Sequence, residues 1–229
     1  MPMLIDLNCD LGEGAGSDAD VIRLITTANV ACGFHSGGAA TAFATIALAA
    51  KHGVHVGAHP GFPDREDFGR REMDRTEQQV YEDCVYQIGA IAAIAKANGV
   101  ALSHVKAHGA LYNMACRDDR YARPVVAAAE LFGLPLMGLP QSRLEALSRR
   151  FIPEGFADRR YRSDGSLLPR TEPNAFAHDP EEAARQAATL AKQGVRTLCV
   201  HGDNPQALAF VRALRESLTA AGFTIAPFA

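Results

Sequence analysis

Residues 103–113 read SHVKAHGALYN. His104, Lys106 and His108 alternate with Val105 and Ala107, so on an extended chain the three polar side chains share one face. Burying two imidazoles and an ammonium on one face costs free energy unless they are paired or put to use. Imidazoles can relay protons, and the ammonium can hold a substrate carboxylate or a developing oxyanion. The plainer account of Lys106 is a buried salt bridge to an acid on a neighbouring strand. His104 comes early in the strand and suits a supporting role. Lys106 and His108 come late and are expected to reach a site mouth, with Gly109 ending the strand and residues 109–113 forming a turn that walls the pocket.

Similar residue types follow the other apolar runs. Asp10 and Glu13 follow the run at 4–9, with Asp6 and Asn8 on the parity of Asp10. His35 follows 27–32, and His59 closes 54–58. Glu154 and Asp158 flank the end of 151–156, and His201 and Asp203 follow 196–200. Asp10, His35, His59 and His201 are donors of the kinds that bind zinc or manganese, although no H-E-x-x-H pattern gathers them locally. Arg70, Arg71 and Arg170 could grip an anion bidentately, and ordinary surface charge explains them equally well. His52 at a helix end suits the helix dipole, His55 a core role and His178 a surface role. The loop Gly12-Glu13-Gly14-Ala15-Gly16 lacks both the Lys-Ser/Thr ending of a P-loop and a dinucleotide fingerprint, which favours a tight turn over a phosphate cradle.

These residues need elements to hold them. Helical patterns are expected near Ala19–Ile25, over Ala39–His52, from the Thr76 cap to Asn98, over Asp119–Phe132 and Ser142–Arg149, from the Asp179 cap to Gly194, and from an Asn204 cap to Gly222. Thr76 with Gln79 reads as a capping box, ahead of an apolar stripe of Val80, Cys84, Ile88, Ile91, Ala92 and Ala95. Apolar strands are expected between the helices, at 4–9, 27–32, 54–58, 101–108, 134–139, 151–156, 196–200 and 223–227. Helix, glycine cap, apolar strand and polar loop recur, at Gly53, Gly99, Gly133, Gly194 and Gly222. Alternation of this kind means a parallel sheet within the α/β class. Seven or eight units fit a (β/α) barrel, with a doubly wound open sheet as the alternative. Ligands bind at the carboxyl ends of such strands in either case, and that is where the polar residues fall.

The chain has 229 residues, 48% hydrophobic and 21% charged, with a formal net charge of −3. This suits one domain, 1–229, with a sizeable core. No basic excess points to nucleic acid, and no apolar run is long enough to cross a membrane. Five cysteines without C-x-x-C spacing argue for a reducing, cytoplasmic setting rather than a disulfide framework.

Several stretches together resemble the LamB/YcsF family. They are 6–14 (DLNCDLGEG), 28–35 (ANVACGFH), 56–60 (VGAHP), Pro63-Asp64, 68–71 (FGRR), 104–106 (HVK), 108–113 (HGALYN), 156–159 (FADR), Pro169-Arg170 and 199–203 (CVHGD). Family members are A subunits of bacterial 5-oxoprolinase. The resemblance implies an irregular seven-stranded, TIM-like barrel of the glycoside hydrolase/deacetylase type. It implies hydrolysis of the lactam 5-oxo-L-proline to L-glutamate, coupled to ATP through a complex with the partner subunits PxpB and PxpC; a homo-oligomer is a further expectation. With the strand-end pattern, it makes Asp10, His59, Lys106 and His108 the catalytic candidates. Asn8, Glu13, His35, Arg70, Tyr112, Glu154, Asp158, Arg170, His201 and Asp203 become the candidates for binding substrate. A divalent metal would fall to Asp10, His35, His59 and His201.

The chain departs from the family pattern where Gly38 replaces an expected acid, where Ala107 follows Lys106, where Gly61-Phe62 follows His59-Pro60, and in a short segment before Arg196. Two other functions fit the same residues: a self-sufficient metal-dependent deacetylase or amidohydrolase, and a non-catalytic regulatory subunit.

Overall fold

The computed structural model describes residues 3–14, 16, 18–201 and 207–228. Its strands are β1 (Met3–Leu11), β2 (Thr27–Ala31), β3 (His55–His59), β4 (Leu102–Lys106), β5 (Leu136–Gly138), β6 (Phe151–Phe156), β7 (Thr197–His201) and β8 (Phe223–Ile225). All the pairings between them are parallel, and the order β2-β3-β4-β5-β6-β7-β1 follows the chain. β1 also pairs with β2, from Asn8↔Thr27 to Leu11↔Val30. That pairing closes a seven-stranded barrel and excludes the open sheet, which would keep two free edges. Among the described residues, β8 pairs with Met3–Ile5 of β1 alone and adds to the ring without entering it.

The helices are α1 (Asp18–Val21), α2 (Ala39–His52), α3 (Glu77–Ala97), α4 (Gly109–Arg117), α5 (Asp119–Leu131), α6 (Arg143–Leu147), α7 (Pro180–Lys192) and α8 (Ala207–Ala220). α3 begins with the capping box expected at Thr76 and Gln79, and buries Val80, Cys84, Ile88, Ile91 and Ala95. Asp179 caps α7, with Pro180 opening it. Several boundaries differ from the sequence reading: β1 runs on to Leu11 and takes in Asp10, and β4 ends at Lys106, which leaves His108 outside the strand. α1 is a single turn, β5 spans only three residues, and residues 109–113 are the first turns of α4 rather than a loop. α4 buries Ala110, Leu111, Tyr112, Met114 and Ala115, so packing supports a helix that its opening glycine disguises. The cap expected at Asn204 lies outside the described residues.

Strand alternation sends Leu7, Cys9, Leu11 and Val105 into the apolar core and the opposite parity into the barrel. The barrel interior is polar and buried: Asp6, Asn8, Asp10, Asn29, His104, Lys106, Glu154 and Thr197. Burial on this scale needs hydrogen bonds, and they are made. The hydroxyls of Thr26, Thr27 and Thr197 donate to the Asp6 carboxylate. Asn8 Nδ2 donates to Thr197 Oγ1 (2.7 Å), and Asn29 Nδ2 donates to Asn8 Oδ1 and Asp10 Oδ1 (2.8 Å each). His104 Nε2 donates to Asn29 Oδ1 (2.6 Å). Its ring occupies the place where a side chain on Gly57 would start: a Cβ there would lie 2.1 Å from the imidazole.

Candidate active site

Lys106, at the end of β4, crosses the barrel. Its Nζ lies 2.9 Å from Asp10 Oδ1 and 2.8 Å from Glu154 Oε1, with Asn8 Oδ1 at 3.3 Å and Cys199 Sγ at 3.1 Å. Burial opposes its charge, but Asp10 and the other acidic neighbours outweigh burial and hold the ammonium pKa well above its ordinary value. Lys106 is therefore a fixed cation, and its three N–H groups have partners inside the barrel. It lies lower than the sequence suggested, at the floor of the site rather than its mouth, and its salt bridges reach across the ring to β1 and β6. Tyr112, on α4, donates its hydroxyl to Glu154 Oε2 (3.0 Å).

Above Lys106, three histidines gather around Glu13. Glu13 comes from the loop after β1, His35 from the loop after β2, His59 from the end of β3, and His108 from the N-cap of α4. His35 Nε2 lies 3.1 Å from Glu13 Oε1, and His108 Nδ1 lies 3.2 Å from the same oxygen. His59 Nε2 lies 3.0 Å from His108 Nδ1, 3.4 Å from Asp10 Oδ2 and 3.7 Å from Glu13 Oε1. The outer nitrogens of two rings face carbonyls. His59 Nδ1 donates to Lys106 O (2.8 Å), and His108 Nε2 donates to Phe68 O (2.8 Å). The His35 and His108 rings stack, with centroids 3.8 Å apart and planes 2° from parallel. Gly69, at φ +67°, lets the backbone approach them: a Cβ there would meet His35 at 2.7 Å and His108 at 2.9 Å.

The environment divides the charges within this group. Burial, with the neighbouring His108, pushes the His35 pKa down to about 3. Burial also lowers His108 despite its contact with Glu13. His59 is as deeply buried, but Asp10 and Glu13 outweigh that and raise it. Burial alone would raise Glu13, yet its hydrogen bonds with His108 and His35 win and hold it below the usual carboxylate range. The facing nitrogens of His59 and His108, with Asp10 and Glu13 beside them, can share a proton and pass it along that line.

A cleft opens over this floor, lined by Asp10, His59, Lys106, His108, Tyr112, Phe156 and three arginines, Arg70, Arg159 and Arg170. It runs into a wider groove along Arg117, Arg162 and residues 164–171. Cations above an acid–base floor suit a small ligand with a carboxylate.

The LamB/YcsF family model matches residues 5–229. The chain belongs to the LamB/YcsF family. It is 45% identical to the 5-oxoprolinase A subunit of a Thermus thermophilus strain, covering 99% of this chain and all of that one. It is 46% identical to the 5-oxoprolinase A subunit of Symbiobacterium thermophilum, over 96% of this chain and 94% of that one. The crystal structure of the lactam utilization protein from Thermus thermophilus superposes with a TM-score of 0.91 at 43% identity, covering 99% and 100% of the two chains. A family 4 carbohydrate esterase from Streptomyces lividans shares the fold at a TM-score of 0.59 and 10% identity, over 99% and 93%.

In this LamB/YcsF barrel, Asp10, His59, Lys106, His108, Arg70, Tyr112 and Arg170 line one cleft. Glu13, His35 and Glu154 touch those residues without lining the cleft, and Asn8 touches Lys106 from within the barrel. Asp158 is buried in the segment after β6 and does not line the cleft. Arg71 turns away to Asp64 and Asp67. The His201 side chain and Asp203 lie outside the described residues. The donor set expected for a metal is regrouped: the donor atoms of Glu13, His35, His59 and His108 lie within 4.8 Å of one another, while Asp10 is held by Lys106 and Asn29. Arg159 was not among the candidates. It is buried, donates to Ala175 O and Leu168 O, and burial with the facing Arg170 lowers its pKa to about 10. Its signal in the sequence was its place at the end of the FADR stretch, 156–159, among neighbouring arginines.

Proposed function

We propose that the chain is the A subunit of an ATP-dependent 5-oxoprolinase, opening 5-oxo-L-proline to L-glutamate together with PxpB and PxpC. The carrying observation is the cleft itself, with arginines at its mouth and a buried His59–His108–Asp10 relay at its floor. Full-length likeness to proteins named as 5-oxoprolinase A subunits supports the same reading.

An unstrained five-membered lactam closes spontaneously from glutamate, so opening it needs coupling to ATP. In this reading the lactam oxygen accepts a phosphoryl group from ATP, releasing ADP. The arginines hold the substrate carboxylate and the new phosphoryl charge. His59 and His108 accept a proton from the water that adds at the activated carbon. The C–N bond then breaks, the ring nitrogen takes up a proton, and a second water releases phosphate. Lys106 holds Asp10 in place beside His59 through their salt bridge.

The test is glutamate and phosphate release by the purified complex, with this chain present or omitted and with or without ATP. Both products should require the chain, and glutamate should require ATP. Full turnover without ATP would refute the reading in favour of a self-sufficient hydrolase.

A further inference from the structure

We infer that Glu13, His59 and His108 form a binding site for one divalent cation of the zinc class, with its open side toward the cleft. The lone pairs point to it first. A neutral imidazole has one N–H, and in both rings a backbone carbonyl that can only accept takes it: Lys106 O from His59 and Phe68 O from His108. Two bare nitrogens then face each other at 3.0 Å with a carboxylate oxygen beside them. Three lone pairs at such distances repel unless a proton or a cation lies among them. Histidines whose far nitrogen is pinned by a carbonyl are the usual arrangement around a metal.

The distances agree. The donor atoms are separated by 3.0, 3.2 and 3.7 Å. Bonds of about 2.0–2.1 Å in a tetrahedral zinc site place donors roughly 3.3–3.4 Å apart. The cleft therefore meets a cation without large movement of the chain. Two imidazoles and one carboxylate also leave a coordination position for water or substrate oxygen, and His59 and His108 line the cleft where that position opens.

Charge favours the same occupant. Among the groups touching Lys106 and the two imidazoles, beneath the cleft arginines, Lys106 is one cation against the carboxylates of Asp10, Glu154 and Glu13. That leaves two negative charges when the imidazoles are neutral, which a divalent ion would balance. His35 is excluded from the ligand set although it is near. Its ring is parallel to His108 at 3.8 Å, so its lone pair runs in a separate plane, and it serves Glu13 instead.

The site is tested without substrate, so its failure and that of the lactam reading are separable. The chelator-stripped full chain is titrated with Co²⁺ alone, followed by visible absorption and by metal content after gel filtration. One Co²⁺ per chain is expected, displaced by Zn²⁺. His108→Gln, His59→Gln and Glu13→Gln should each weaken binding by at least about tenfold. His35→Asn should keep the stoichiometry, and so should His178→Asn, which alters an exposed histidine. Circular dichroism of each variant confirms that it is folded. Absence of bound Co²⁺ in the folded chain, or unchanged binding in folded His108→Gln, would overturn the site. Loss of binding in His178→Asn would place the ion at the surface and overturn it equally.

Discussion

His59 Nε2 faces His108 Nδ1 at 3.0 Å, and the carbonyls of Lys106 and Phe68 hold the far side of each ring. The two rings are nearly perpendicular, at 87°, so neither can slide past the other. Glu13 and Asp10 close the remaining sides. A pair fixed in this way can share one proton or one cation with little rearrangement. His108→Gln and His59→Gln should each lower glutamate release by the assembled complex by roughly 10²–10⁴-fold. Steady-state kinetics would show the loss in kcat. A loss confined to KM would mean that the pair only binds substrate.

Lys106 supports the buried acids of two strands, and its removal leaves both uncompensated. Lys106→Met should destabilise the chain by about 3–5 kcal/mol, read from urea unfolding. Adding Glu154→Gln to Lys106→Met removes one of the stranded carboxylates and should recover part of that loss. If the double variant were as unstable as the sum of its parts, the salt bridge would not be the cause.

Much of this arrangement could be read in the sequence. Period-two polarity at 6, 8 and 10 and at 104 and 106 identifies barrel-facing residues, because alternation is a local property of a strand. The apolar stripe of α3 and its capping box are local too. What could not be read is which inward residues meet. Lys106 finds Glu154 only because closure of the ring sets them opposite, and no spacing along the chain encodes that distance. Glu13 reads as part of a glycine turn, and it is one: the Gly12 N–H is taken by Asp18 Oδ2 at 2.8 Å, which turns the Glu13 side chain in toward the histidines. Arg159 was hidden among neighbouring arginines because its burial depends on the fold of residues 157–177.

Gly38, where the family pattern has an acid, sits at the N-cap of α2 with extended backbone and makes no side-chain cap. A Cβ there would meet nothing within 4 Å. The acid would therefore serve the helix rather than the cleft. Gly38→Asp should stabilise the chain by a few tenths of a kcal/mol, or about a degree in Tm, with turnover unchanged. A substantial change in KM would assign position 38 to the site instead.

Gly57 and His104 occupy one volume between β3 and β4. Gly57→Ala would place a methyl 2.1 Å from the imidazole and force the ring off Asn29. The expected loss is about 1–3 kcal/mol. In a His104→Ser background the same substitution should cost much less, and the difference measures the contact. Equal costs in both backgrounds would place the strain in the backbone.

His104 also makes stability depend on pH. Burial, followed by the Lys106 cation, lowers its pKa to about 3 in the folded chain, against about 6.5 when unfolded. Between these values the unfolded chain binds a proton that the folded chain refuses. The stability that neutral His104 contributes is complete above about 6.5 and is lost as the pH falls toward 3. The slope from this one group approaches about 1.4 kcal/mol per pH unit within that window. His35, lowered to about 3 by burial and His108, adds a second contribution of the same sign. Urea unfolding at about pH 7, 6, 5 and 4 should show the decline, and His104→Gln, which cannot titrate, should flatten it by one group's share. If the His104→Gln curve fell as steeply as that of the parent chain, His104 would not be the source of the acid sensitivity.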